Sequence, residues 1–187
     1  MTTTPKKAQY AERGPVPQDV ISAVVFELPP LEAGQVRVAV LAAPINPSDV
    51  LTLTGEYGIL PPLPAVGGNE GVGRVLEVGA DVTGLPVGTV VLLPVGCGSW
   101  ASHLLLKAEE LVVLPEADHL QLAMLAVNPV SAALLLDQGP ALQAGDWLIQ
   151  NAANSAIGNC IIQLAKARGL QTINLVRRES AVAETRA

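Results

Sequence analysis

The chain has 187 residues, a formal net charge of −6, half of its residues apolar and 15% charged. That length is enough to bury a core. Basic residues cluster only at Lys6-Lys7 and Arg177-Arg178, which argues against nucleic acid as a partner. No stretch reaches the roughly 18 uninterrupted apolar residues of a membrane span, because Asn128-Pro129 breaks the run over 120–136, and no apolar core follows Lys6-Lys7 as a secretory leader requires.

The first 43 residues read as short β-type runs, over 6–11, 23–28 and 36–42. Gly14-Pro15, Pro29-Pro30 and Gly34 separate them, and a helix does not tolerate that punctuation. Over 36–40 the apolar positions do not alternate cleanly, which suits a strand covered on both faces or beside a cavity. Next, Pro47-Ser48-Asp49 reads as a helix opening, with Asn46 at the N-cap and Pro47 in the first helical position. The glycines and prolines that follow, from Gly55 to Gly71, specify an irregular loop.

Strands are expected over 71–79, 89–93 and 101–107, joined by turns around Asp81, over 84–88 and over 96–100. Helices are expected over 120–126 and 129–136. Residues 146–178 then spell strand, turn, helix, glycine stop and second strand, a parallel βαβ crossover whose helix N-terminus is suited to an anion. Of the three glycines of the dinucleotide fingerprint only Gly158 is present, so the pattern alone leaves an ordinary βαβ unit and a cofactor site both open. The helix stripe Ile157, Ile161 and Leu164 or Ala165 reads as core. No internal repeat or low-complexity tract is present.

Cys97 and Cys160 stand far apart with no metal spacing, which points to a reduced, intracellular compartment and no structural zinc. His103 and His119 each lack a partner at ligand spacing. Cys97, between two glycines, is expected to be exposed but has no adjacent base to make it a nucleophile. Trp147 and Cys160 are expected in the core.

Taken in order, Asn46-Pro47-Ser48-Asp49, Gly55-Glu56-Tyr57-Gly58, the run from Gly67 through Glu70 to Gly73, Asn128-Pro129 and the run from Gln150 to Gly158 resemble the medium-chain dehydrogenase/reductase superfamily. Within it the similarity is to the zinc-free, mitochondrial-type NADPH-dependent 2-enoyl thioester reductases. It extends from Lys7 to Arg178. The resemblance implies an α/β fold: a β-rich GroES-like catalytic domain over 1–119, and over 120–187 the first part of a Rossmann doubly wound domain. Members of the family are longer than this chain, so the resemblance also implies a fragment that stops inside the cofactor domain and lacks the C-terminal return of the catalytic one.

In the alcohol dehydrogenase branch a cysteine and a histidine hold catalytic zinc where this chain has Asn46 and Asn69, and amides are poor zinc ligands. The resemblance therefore implies metal-free reduction of the C2–C3 double bond of a trans-2-enoyl thioester, carried on acyl carrier protein or coenzyme A, in fatty acid synthesis. It implies Tyr57 and Asn46 as catalytic residues, with Asn69 and Trp100 lining the substrate cleft. Hydride addition to such a substrate needs a donor for the enolate oxygen and a proton at the α-carbon, and a phenol can supply either. From its residues alone Tyr57 reads rather as a packing tyrosine of a loop.

Asn128, Asn151, Asn154, Ser155, Ala156, Ile157 and Gly158 are implied around an NADPH cofactor, the backbone N–H groups of the helix start facing its pyrophosphate. Helix capping by Asn154 and Ser155 is compatible with that role. Arg177 and Arg178 at the end of the second strand offer paired cations for a 2′-phosphate, whereas an acidic residue there selects a free ribose hydroxyl. Glu179 is the rival group. A homodimer and a cytoplasmic location, or the mitochondrial matrix after removal of a transit peptide, complete the implied picture. The alternatives are a quinone reductase of the same superfamily and a non-catalytic nucleotide-binding or interaction protein.

Overall fold

The computed structural model describes residues 4–186, and the chain divides into two compact units, Met1–Ala126 and Val127–Ala187. The sequence reading divides it after residue 119 instead. The short helix that begins there stays with the first unit because Leu122 and Ala123 pack on Val72 and Val90.

The first unit contains β1 (Lys6–Tyr10), α1 (Pro17–Val20), β2 (Ile21–Val25), β3 (Gln35–Ala42), α2 (Pro47–Thr54), β4 (Ala65–Val66), β5 (Val72–Val78), β6 (Val90–Leu92), β7 (His103–Lys107), β8 (Val112–Val113) and α3 (His119–Leu122). Its strands form two antiparallel sheets, ordered β2-β1-β4 and β7-β3-β5-β6-β8. In β3 the valines at 36 and 38 are fully buried, while Arg37 reaches Glu77 at 3.5 Å. The remaining positions of the strand are half-buried except for exposed Leu41, so its second face is partly covered as well.

Val36, Val38, Val75, Leu85, Val91 and Leu93 form the main core. Burying each such side chain is worth about 1.5–3 kcal/mol. Gly73 lets β5 run close to β3, since a Cβ there would lie 2.3 Å from Val38 Cγ1 and 2.9 Å from the Ala39 carbonyl oxygen. A second cluster, Tyr10, Leu53 and Ala65 with Trp100 against it, fastens α2 to the smaller sheet.

Several elements differ from the sequence expectation. Pro17 opens a one-turn helix, and β2 starts two residues earlier than expected because its register pairs Ile21 with Tyr10. The two-residue strands β4 and β8 were not visible as patterns. The helix expected over 120–126 is limited to His119–Leu122, with turns following it.

The second unit holds α4 (Asn128–Asp137), β9 (Trp147–Gln150), α5 (Ala156–Ala167) and β10 (Gln171–Asn174), followed by two 3-10 turns. β9 and β10 are parallel, with Ile149 opposite Ile173, and α5 is the crossover between them. The expected strand-turn-helix-strand order is present. Among the described residues Trp147 is 64% exposed, where the sequence reading expects core.

Candidate active site

The N-terminal end of α2 gathers four polar residues of the first unit. Pro47 and the Asn46 N-cap start the helix, and Asp49, at its third position, accepts the Asn46 backbone N–H at 2.7 Å through Oδ2. This bond belongs to a capping box, which satisfies otherwise orphaned helix-end donors. The other carboxylate oxygen, Oδ1, accepts the side-chain amide of Asn69 at 2.7 Å. The Asn46 side-chain amide donates in turn to Glu70 Oε1 at 2.8 Å.

Asp49 is 3% exposed and Glu70 fully buried. Burial pushes the Asp49 carboxyl above its ordinary range, and N–H groups of Asn46 and Asn69 oppose that shift without cancelling it. Each carboxylate accepts a side-chain amide, Asp49 that of Asn69 and Glu70 that of Asn46. Among the described residues no group of three His, Cys, Asp or Glu could hold a metal ion.

Trp100 stands beside this cluster. Its indole N–H donates to the Pro44 carbonyl oxygen at 2.9 Å, and its ring fills the space over Gly67 and Gly68, where a Cβ would lie within 2.3–2.5 Å of it. Three backbone bonds fix the arrangement: Ala8 N–H to the Trp100 carbonyl, Trp100 N–H to the Gly67 carbonyl and Gly67 N–H to the Ala8 carbonyl. Asn69 is held from its other side, its carbonyl accepting from Gly96 N–H at 2.8 Å.

Tyr57 lies past the opposite end of α2. Gly55 closes the helix in the left-handed conformation (φ 86°), and Glu56 and Tyr57 both donate their backbone N–H to the Leu51 carbonyl. The Tyr57 side chain is 41% exposed. The structure thus brings Asn46, Asn69 and Trp100 together and sets Tyr57 at the far end of the same eight-residue helix. No hydrogen bond among the described residues joins Tyr57 to either asparagine.

The second unit forms its own cluster where β9 turns into α5. Ser155 is the N-cap, its Oγ accepting the Gly158 N–H at 3.1 Å, and Ala152 adopts a positive φ of 48° to turn the chain. Gly158 admits no side chain, since a Cβ would sit 2.5 Å from the Ala153 carbonyl oxygen. Ala153 itself is buried and bonded to the Leu175 carbonyl. Asn151, Ser155 and Ala156 are exposed at the helix start, with Asn154 and Ile157 half-buried.

Beneath this turn, Gln150 donates to the Asn174 side chain at 2.8 Å and to the Gly158 carbonyl at 3.2 Å, tying β9, β10 and α5 together. Arg177 and Arg178 are exposed in the bend after β10. Asn128 opens α4, and its buried side-chain nitrogen has no hydrogen-bond partner among the described residues. The exposed helix start, the tight backbone at Gly158 and the two exposed guanidinium groups are chemically suited to a dinucleotide with an extra phosphate, although the Gly158 N–H is itself taken by Ser155 Oγ.

Cys97 is half-buried and packs against the main core, so the exposure expected for it is not found. Burial pushes its thiol up to about 11. Asp49 and Glu70 were not singled out by sequence reasoning. The available signals were an acid three positions after an N-cap, and a carboxylate set within a glycine-rich run.

Residues 32–116 match the alcohol dehydrogenase GroES-like domain family. Over 163 residues the chain is 47% identical to the mitochondrial enoyl-[acyl-carrier-protein] reductase of Rattus norvegicus, covering 86% of this chain and 44% of that protein. The corresponding Arabidopsis thaliana protein is 40% identical over 188 residues, covering 97% and 49%. The chain therefore spans about half the length of the curated relatives it matches.

Among solved structures, the mitochondrial 2-enoyl thioester reductase Etr1p/Etr2p heterodimer from Candida tropicalis aligns with a TM-score of 0.87 at 29% identity, over 98% of this chain and 57% of that one. An Etr1p complex with NADP and crotonyl-CoA gives the same values. A protein assigned as an NADPH:quinone reductase from Bacillus thuringiensis aligns at 0.85 with 33% identity, over 98% and 56%. With this α/β architecture and these relatives, the chain belongs to the medium-chain dehydrogenase/reductase superfamily and carries its alcohol dehydrogenase GroES-like domain.

Proposed function

We propose that the protein containing this chain is an NADPH-dependent reductase of the C2–C3 double bond of trans-2-enoyl thioesters. The observation that carries the reading is the amide–carboxylate cluster at the start of α2, where Asn46 and Asn69 donate to Glu70 and Asp49. Neutral amides bonded to buried carboxylates are built to hold hydrogen-bonding groups in place rather than to ligate a cation. The names of the relatives, enoyl-ACP reductases and a crotonyl-CoA complex, support the same substrate class.

Ser155, Ala156, Ile157 and Gly158 would hold the pyrophosphate, with Asn151 and Asn154 at its edges, Asn128 supplying its uncommitted amide and Arg177 and Arg178 the 2′-phosphate. When bound, the cofactor supplies the hydride. The chain's own groups do the rest. The Tyr57 phenol donates to the thioester oxygen or protonates the α-carbon, Asn46 and Asn69 fix the polar wall, and the Trp100 ring excludes water from it.

The carrier, acyl carrier protein or coenzyme A, and a homodimeric assembly belong to the same proposal, as do the domain roles of 1–119 and 120–187. The relatives' mitochondrial names support the matrix rather than the cytoplasm. Likeness to the quinone reductase gives a second reading within the superfamily.

The test is NADPH oxidation by the protein with a crotonyl thioester and, separately, with a quinone. Thioester turnover is expected. Turnover of quinone alone selects the second reading, and turnover of neither favours a silent nucleotide-binding protein.

A further inference from the structure

The proposed chemistry involves Asn69 but leaves open what orients it. A primary amide is nearly symmetric in shape, and only its hydrogen-bond partners decide whether its N–H₂ or its oxygen faces a ligand. The Asn69 nitrogen is 2.7 Å from Asp49 Oδ1, and an ionised carboxylate only accepts. The nitrogen is therefore turned toward Asp49, and the Asn69 side-chain oxygen has no partner among the described residues.

Asp49 itself cannot rotate away. Its second oxygen is occupied by the Asn46 backbone N–H at 2.7 Å, its backbone lies within α2, and its side chain is 3% exposed. One carboxylate thus sets both the backbone entry of Asn46 and the face of Asn69.

Resting on the reductase reading above, we infer that Asp49 is a positioning residue of the site, holding Asn69 so that its carbonyl oxygen is the atom presented to a hydrogen-bond donor on the bound ligand. Asp49 does not itself touch the reacting atoms. In an Asp49→Asn variant the new amide keeps an oxygen for the Asn46 N–H and turns its nitrogen toward Asn69. The Asn69 amide must then reverse, presenting N–H₂ where an acceptor stood, with little change in shape.

The experiment compares wild type, Asp49→Asn, Asn69→Ala and the double variant in steady-state turnover, alongside the side-chain amide resonances of Asn69 in ¹⁵N-asparagine-labelled protein. Asp49→Asn is expected to lower kcat about tenfold or more, as loss of an oriented polar group does, with the NADPH KM within about twofold and no fall in Tm. In the Asn69→Ala background it is expected to add less than about twofold, because it acts through Asn69.

Unchanged kcat, fully additive losses, or a kcat loss matched by a fall in Tm would each overturn the role. If wild type reduces only a quinone, the substrate reading fails and the same cycle on quinone still tests Asp49. If wild type turns over neither, the resonances decide: Asn69 amide shifts that stay the same in Asp49→Asn overturn the inference, and shifts that move to those of an unpaired amide uphold it.

Discussion

Asn69 donates its side-chain amide to Asp49 at 2.7 Å across twenty residues of chain, joining the first turn of α2 to the glycine-rich segment that precedes β5. Through that bond and the Asn46–Glu70 pair, the polar wall of the first unit is cross-linked by amide–carboxylate hydrogen bonds.

The pH dependence of stability follows from the same carboxylate. The Asp49 pKa in the fold is raised above its ordinary 3.8, with burial the largest cause, so the folded state binds a proton more tightly than the unfolded chain. Stability from this group is then greatest at low pH and declines as pH rises from about 3.8 through the raised value, the reverse of a salt-bridged carboxylate. Denaturant titrations across that window are expected to show the decline in wild type and its absence in Asp49→Asn.

Tyr57→Phe removes the phenolic proton and keeps the ring. A drop in kcat of about 100-fold is expected, the lower range for general-acid catalysis. With the side chain 41% exposed, stability should move by less than ~0.5 kcal/mol. Enoyl thioester turnover beside a thermal melt checks both. Turnover within twofold of wild type would remove Tyr57 from the mechanism.

Replacing Arg177 and Arg178 together with alanine should narrow the preference for NADPH over NADH. Charge-assisted bonds to a phosphate contribute about 1.5–3 kcal/mol each, so the ratio of kcat/KM values is expected to fall by about two orders of magnitude. Because both side chains are exposed, the melting temperature should hold. A ratio that does not move would place 2′-phosphate recognition elsewhere, with Glu179 the nearest group to examine.

Gly158→Ala is expected to destabilise the second unit. The added methyl would lie 2.5 Å from the Ala153 carbonyl oxygen and 2.8 Å from that of Ala152, so the turn must open to admit it. Backbone displacement of this kind costs on the order of 2 kcal/mol and should weaken cofactor binding as well. Calorimetry and NADPH titration of the variant measure the two effects, and an unshifted melt would show that the turn yields freely.

The sequence by itself determined the order of the longer elements, though not the one-turn helix at Pro17 or the two-residue strands β4 and β8. Proline and glycine mark the ends of segments, β-branched runs such as Val36-Arg37-Val38 specify strands, and the pairing of Asn46 with Pro47 opens a helix, because these are local preferences of φ, ψ and capping. The βαβ unit over 146–178 and the family were legible for the same reason, together with the motif order.

Only the tertiary structure decided which polar groups meet. Asp49 and Glu70 become the partners of Asn69 and Asn46 through folding that brings distant segments together, and burial then makes those bonds count, since an unpaired carboxylate there is costly. Cys97 came out half-buried for the same reason: local sequence states a preference, while the packing of neighbouring elements decides which side chains are covered.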